Sequence, residues 1–237
     1  MSAQPSDVEE LRVARARVLE RIADAAKRVG RDPAGVTLVA VSKTVAAERL
    51  QAAVAAGLTI LGENRVQEAE AKAPQVSDAT WHLVGPLQSN KARRALDVFD
   101  TIETVHSVEL AGRLDGLLPS PPESGRRAVL LQVNVDADPA KSGFLPEDLA
   151  GAVDGLDALD RLEYRGLMTV GRLVDDAERA RPAFVALRTM SERLRATWPR
   201  LGPELSMGMS DDFEVAVEEG ATIVRVGRAL FGERPPG

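Results

Sequence analysis

The chain has 237 residues, a formal net charge of −6 and no cysteine. Disulfides, thiolate nucleophiles and cysteine-held metals are thereby excluded, and the acidic balance argues against general affinity for nucleic acid or anionic membranes. Hydrophobic residues at 44% can build a sizeable core, but with aromatics at 3% it must come from Val, Leu, Ile, Ala and Met.

The opening "MSAQPSDVEE" is acidic and lacks a basic stretch followed by an apolar one, so no signal peptide is expected. No apolar run reaches the ~18 residues of a membrane span, and the expectation is a soluble, cytoplasmic protein. Residues 6–29 place Val8, Leu11, Ala14, Val18, Ile22, Ala25 and Val29 on one helical face. Arg12, Arg15, Arg17, Glu20, Arg21 and Asp24 lie elsewhere on that helix and read as a solvated face. "GRDPAG" then breaks it.

From there the chain alternates. Strands are expected at 36–41, 58–61, 80–84, 99–104, 128–135, 162–168, 204–207 and 222–226. Helical patterns fall between them at 45–56, 63–72, 89–97, 107–117, 146–158, 175–197 and 211–219. The strands read as continuous apolar runs, as parallel strands covered by helices do. About eight such units in a chain of this length predict an α/β fold, a single (β/α)₈ TIM-type barrel with an extra N-terminal helix spanning residues 1–237. An open doubly wound sheet is the alternative. "LLPSPPESGRR" (117–127) reads as a surface loop rather than a domain boundary, and the N-terminal helix is expected to cover the barrel where the C-terminus leaves little room.

In a barrel the site lies at the carboxyl ends of the strands. Lys43 sits just beyond strand one, in "VTLVAVSKT". It shares parity with Thr37, Val39 and Val41, so inward valines would aim it into the barrel mouth. A desolvated lysine can attack a carbonyl and form a Schiff base; one that snorkels to solvent does nothing of the kind. In "LSMGMSDDFEVAVEEG", Ser210 precedes an amphipathic run as an N-cap does, and free N–H groups at a helix start favour an anion. The next strand ends in "VRVGRALFG", where Gly227 permits close approach. These are the loops after strands seven and eight, the usual phosphate site of such barrels. Arg225 lies within strand eight. A charge there is paired, with Glu63 or Asp211 as candidates, or it meets a ring nitrogen or a carboxylate. An amine, a phosphate cup and an arginine together match a phosphorylated aldehyde, and pyridoxal 5′-phosphate (PLP) has all three complementary groups.

The motifs "VAVSKT", "LGENRVQE", "WHLVGPLQSNK", "QVNVDADPAKSGF", "RGLMTV", "LSMGMSDDFEVAVEEG" and "VRVGRALFG" follow one another in the order of a known family. Over nearly its whole length the chain resembles the pyridoxal-phosphate homeostasis protein family, whose barrel is similar to the N-terminal domain of alanine racemase. The resemblance implies a Schiff base at Lys43, a ring-nitrogen contact from Arg225, and phosphate contacts from Ser210 and the Gly227–Arg228 backbone. The family commonly has Thr or Ser where this chain has Arg228, which leaves that side chain either to offer a charge or to turn to solvent. Asn64 and Met168 are further candidate cofactor contacts; the alternatives are a loop anchor and a core residue. His82 reads as a buried, satisfied histidine and His106 as a loop or helix-start residue, and neither has a metal-ligand partner at suitable spacing, so no metal is expected.

The function implied is a PLP carrier or buffer in intracellular homeostasis, monomeric, with little or no catalysis and with PLP-dependent apoenzymes as candidate recipients. A PLP-dependent amino-acid racemase is the rival. It needs acid/base groups on both faces of the substrate carbon. The only tyrosine, Tyr164, lies early in strand six, far from the mouth. A cofactor-free Schiff-base aldolase acting on a sugar phosphate is the third reading.

Overall fold

The computed structural model describes residues 5–120, 125–172 and 174–232. The middle of the expected loop 117–127 and both chain ends lie outside the described residues. Eight parallel strands close on themselves in sequence order: β1 (Thr37–Val41), β2 (Ile60–Glu63), β3 (Thr80–Leu83), β4 (Thr101–Val105), β5 (Arg127–Gln132), β6 (Leu162–Met168), β7 (Glu204–Ser206) and β8 (Ile223–Val226). β8 returns to pair with β1, Val39 opposite Arg225 and Ala40 opposite Val226. The fold is therefore a TIM (β/α)₈ barrel, and the open sheet is set aside.

Helices alternate with the strands: α1 (Pro5–Arg28), α2 (Ala47–Ala55), α3 (Val66–Lys72), α4 (Ala92–Val98), α5 (Val108–Leu117), α6 (Pro146–Asp157), α7 (Arg181–Thr197), α8 (Phe213–Glu218) and α9 (Arg228–Phe231). Several expected boundaries move. The third strand of apolar sequence, 80–84, is nearly right, but the second begins two residues later than 58–61 and runs through Glu63, which had been assigned to a helix. β5 stops at Gln132 rather than 135, because Asn134 leaves the sheet to hold the following loop with its side-chain amide on the Asp138 carbonyl at 2.8 Å.

Period-two alternation sorts the strand residues into two layers. Val39, Val84, Leu130, Met168 and Ile223 pack together in the barrel interior. Ala40, Leu61, Leu83, Leu131, Val133, Leu167 and Val224 face the helices and join the larger outer core. α1 buries Leu11, Val18, Ile22, Ala25 and Ala26 against this layer, as the pattern predicts, while Val29 falls past the helix end and is 45% exposed. α1 lies against α2, α8 and α9 and so covers the closure between β8 and β1. Its charged face is more than solvated: Arg21 grips Glu214 of α8 with two hydrogen bonds of 2.7 and 2.8 Å and lies 4.5 Å over the Phe213 ring.

Candidate functional site

Lys43 follows β1 by two residues and is half-buried. Val39 lies in the interior cluster and Val41 packs against it, so the valines face inward as expected, and Lys43 lies in the turn directly beyond them. The next residue, Thr44, has φ +66. A β-branched residue in the left-handed region costs on the order of 1–3 kcal/mol and persists only where its surroundings hold it.

Those surroundings come from β2 and α3. Glu63 shares parity with Leu61, so it faces the helix layer, where it is completely buried. The Ser42 hydroxyl donates to Glu63 Oε1 at 2.9 Å. Lys72 Nζ donates to the same oxygen at 2.6 Å and to the Ser42 carbonyl at 3.1 Å. On the other side of Lys43, the Thr44 N–H donates to Glu68 Oε2 at 3.4 Å. Glu63 is therefore the partner of Lys72, not of Arg225.

Arg225 on β8 is 4% exposed and joins a chain of polar groups. Its Nη1 donates to Ser206 Oγ at 2.6 Å and its Nη2 to the Thr169 carbonyl at 2.7 Å. The Ser206 hydroxyl donates in turn to Glu103, whose other oxygen meets His82 Nδ1 at 2.7 Å. Asp211, the other expected partner of Arg225, lies instead against Arg228. Burial depresses the Arg225 guanidinium, opposed by the charges of Glu103 and Asp212. For Glu103, burial pushes the carboxyl up, but the hydrogen bond and charge of His82, with Arg225 and Ser206, outweigh it and hold the group below the ordinary carboxylate range. His82 is the buried, satisfied histidine the sequence suggested.

The turns after β7 and β8 meet. The Gly227 N–H donates to Ser210 Oγ at 3.3 Å. Gly227 has an ordinary negative φ; it is glycine because a Cβ would stand 3.1 Å from the Val41 carbonyl oxygen. Gly208 differs, with φ +89 and a Cβ position 2.5 Å from that of Ala216. Ser210 is not the helix cap expected of it. That place belongs to Asp212, which accepts from the Met209 N–H at 2.6 Å, and α8 is only six residues long, so a helix-terminus argument for an anion carries little. Arg228 turns away to Asp211, and both side chains are more than half exposed. Met168 ends β6 and is fully buried in the interior cluster, beside Val39, Val84, Leu130 and Ile223. Asn64 follows β2 directly and is half-buried, its N–H on Glu63 Oε2 at 3.2 Å.

Lys43, Ser210, Gly227 and Arg225 thus gather at the carboxyl ends of β1, β7 and β8. Sequence reasoning missed one neighbour. Gln132 ends β5 with the inward parity of Leu130, and it is 7% exposed. Its amide nitrogen donates to the Ser142 carbonyl at 2.7 Å, while its Oε1 has no hydrogen-bond partner. A buried acceptor left open at a barrel mouth is what a site for a polar ligand presents. The signal was a glutamine interrupting the apolar run "AVLLQV".

The chain matches the family described as alanine racemase, N-terminal domain, over residues 13–235. It is 43% identical over 227 residues to the pyridoxal phosphate homeostasis protein of Pseudomonas aeruginosa, covering 94% of this chain and 95% of that one. It is 38% identical over 230 residues to the protein of the same name from Escherichia coli, covering 92% and 94%. The solved structure of PipY from Synechococcus elongatus with PLP bound aligns at TM-score 0.77 and 42% identity, covering 89% of this chain and all of that one, 100%. An alanine racemase from Clostridium difficile aligns at TM-score 0.69 but 16% identity, covering 92% of this chain and 60% of that one, a likeness of fold alone. The barrel and its mouth, read with these relatives, show that the chain belongs to the pyridoxal phosphate homeostasis protein family.

Proposed function

We propose that this chain binds PLP at the barrel mouth and holds it in reserve for cellular PLP homeostasis, without efficient turnover of amino acids. The observation that carries the reading is the convergence of Lys43, Arg225 and the Ser210–Gly227 contact on one end of the barrel, beside the open acceptor of Gln132. The names of the relatives and the PLP in the PipY structure support it.

When bound, PLP supplies an aldehyde that takes an amine and a pyridine ring that withdraws electrons. Lys43 is the amine. Ser210 and the backbone at Gly227 and Arg228 receive the phosphate, and Asn64, directly after β2, is a further cofactor contact. Arg225 can only donate hydrogen bonds, so a ring nitrogen facing it carries no proton and withdraws electrons weakly. Tyr164 is no second base: it is buried in the outer core, 4.9 Å from the Trp198 ring, and its hydroxyl donates to the Leu156 carbonyl at 2.8 Å. Burial also raises its pKa. One missing, positioned acid/base group lowers a rate by ~10²–10⁴-fold. We read the whole chain as one domain, a cytoplasmic monomer that supplies PLP-dependent apoenzymes. The uninterrupted ring of strands supports the first point. No helix among the described residues is long and apolar enough to cross a membrane.

Borohydride reduction of the protein mixed with PLP, followed by peptide mapping, tests the site. The label is expected on Lys43, and a label on Lys91 or Lys141 instead would overturn the assignment. An enantiomer-exchange assay across the common amino acids tests the carrier reading, and robust turnover of any of them defeats it.

A further inference from the structure

The motif "LGENRVQEAEAK" contributes Asn64 to the proposed site, yet three of its charged residues serve the neighbouring strand end instead. Glu63, Glu68 and Lys72 all converge on the two residues that flank Lys43. Lys72 and Glu63 hold Ser42 by its carbonyl and its hydroxyl, and Glu68 holds the Thr44 N–H. Lys72 is in turn fixed by both acids, at 2.6 Å from Glu63 and 3.6 Å from Glu68. The backbone of Ser42 is also tied to β2 by its N–H on the Gly62 carbonyl at 2.8 Å.

This arrangement surrounds the left-handed Thr44. A threonine relaxes out of that conformation unless neighbouring contacts oppose it. The contacts that oppose it reach the chain immediately before and after Lys43, from the side of the strand away from the mouth. We propose that Lys72, with Glu63 and Glu68, is a positioning group for Lys43: it clamps a strained turn so that the Lys43 amine is presented at a fixed place in the mouth. The inference rests on the reading of Lys43 as the amine that takes the PLP aldehyde. Lys72 itself touches no cofactor; it acts through the main chain of Ser42.

The geometry carries a specific consequence. If the clamp exists to hold Thr44 in its strained conformation, then a residue that adopts the conformation freely makes the clamp dispensable. Glycine is that residue. Lys72→Met keeps the length of the side chain and removes its donors. It should slow the appearance of the visible band on mixing with PLP by roughly ten- to a hundredfold, the scale of effect that a misplaced reacting group produces. The circular dichroism of that band, which reports how the chromophore is held, should fall as well. Adding Thr44→Gly to Lys72→Met should recover most of the rate and most of the dichroism. A merely structural role for Lys72 would not be relieved by a glycine at position 44.

The experiment compares wild type, Lys72→Met, Glu68→Gln, Lys72→Arg and the Lys72→Met/Thr44→Gly pair, each checked for folding by far-ultraviolet circular dichroism. Lys72→Arg keeps a cation and should retain more of the rate than Lys72→Met. A folded Lys72→Met that reacts at the wild-type rate overturns the clamp, and so does a slow Lys72→Met that Thr44→Gly fails to restore. Should Lys72→Met not fold, Glu68→Gln decides, since it loosens the exposed Thr44 contact and the longer ion pair to Lys72 while leaving Lys72 on Glu63 and Ser42; a several-fold slowing supports the clamp and an unchanged rate overturns it. Peptide mapping separates the two levels of the argument. Wild-type label away from Lys43 removes the functional reading and the clamp with it, whereas label on Lys43 with unchanged rates in the variants removes the clamp alone.

Discussion

At the amino ends of the strands the barrel holds a cavity of ≈ 500 Å³ lined by Arg126, Arg127, Glu163, Arg165 and Glu204 among others. Its charges are answered on the spot. Arg127 donates to the carbonyls of Phe99 and Leu96 at 2.6 and 3.2 Å, Arg126 to that of Asp160 at 2.8 Å, and Arg165 lies 3.5 Å from Glu163 and 3.7 Å from Glu204. At the carboxyl ends there is an unanswered acceptor on Gln132, a strained Thr44, and a serine resting on a backbone N–H. The open Gln132 acceptor and the β-branched Thr44 at positive φ distinguish the carboxyl end, while the amino end has its own buried atom without a hydrogen-bond partner, Arg161 Nε, and its own positive φ, at Asp78.

The two ends communicate through Glu103, and its removal is the sharpest way to break the contrast. Glu103→Ala strips His82 and Ser206 of their shared partner and removes one of the two charges, the other being Asp212, that support the buried Arg225. A loss of about 3–5 kcal/mol is expected, measured by urea unfolding. Arg165→Ala, at the amino end and 43% exposed, should cost no more than about 1 kcal/mol in the same measurement. Equal effects would mean that the axial chain is no more integral than a surface pair.

The pH dependence of stability follows from the same carboxylate. Because Glu103 is held low in the folded state, its contribution is complete above the ordinary carboxylate range and is lost as pH falls through its depressed folded value. Glu103→Gln should therefore flatten the acid side of the stability profile. Asp212 works in the opposite sense: burial raises it, so its contribution is present at low pH and fades as pH rises through the raised value. A wild-type profile without an acid decline would contradict the Glu103 assignment.

A smaller effect tests the mouth itself. Ser210→Ala with Gly227→Ala removes a hydroxyl and crowds the Val41 carbonyl, and should weaken PLP retention by roughly tenfold. Pyridoxal, which lacks the phosphate, should be little affected. Arg228→Ala should change retention hardly at all, since its guanidinium is engaged with Asp211 at the surface. If Arg228→Ala weakened PLP and the double variant did not, the phosphate would have to sit against the arginine.

The barrel was legible because its evidence is redundant. Eight apolar runs separated by helical patterns admit few architectures, and errors of two or three residues at the ends of β2 and β5 do not alter the count. Lys43 and Gly227 were legible because position at a strand end is a property of the chain itself. Partners were not. Nothing local to Arg225 says that its contacts are Ser206 and the Thr169 carbonyl, because these meet only when β6, β7 and β8 close together. The Ser210 cap failed for a related reason. Two consecutive aspartates follow it, and the helix begins after the second, where Asp212 can turn back to Met209. The chemistry of Met168 suits both a cofactor contact and the core, and nothing local to it says that it packs among Val39, Val84, Leu130 and Ile223.

Arg225 is tied to neutral oxygens, a serine hydroxyl and a backbone carbonyl, with the carboxylate one link further off. Its charge is consequently softened rather than cancelled. The molecule as a whole carries −6 and repels a phosphorylated anion approaching through solvent. Only inside the mouth, within a screening length of ~8 Å at physiological ionic strength, can a buried cation reverse that sign. Whatever attraction Arg225 offers an anion is therefore felt at close range, inside the mouth, and not from afar.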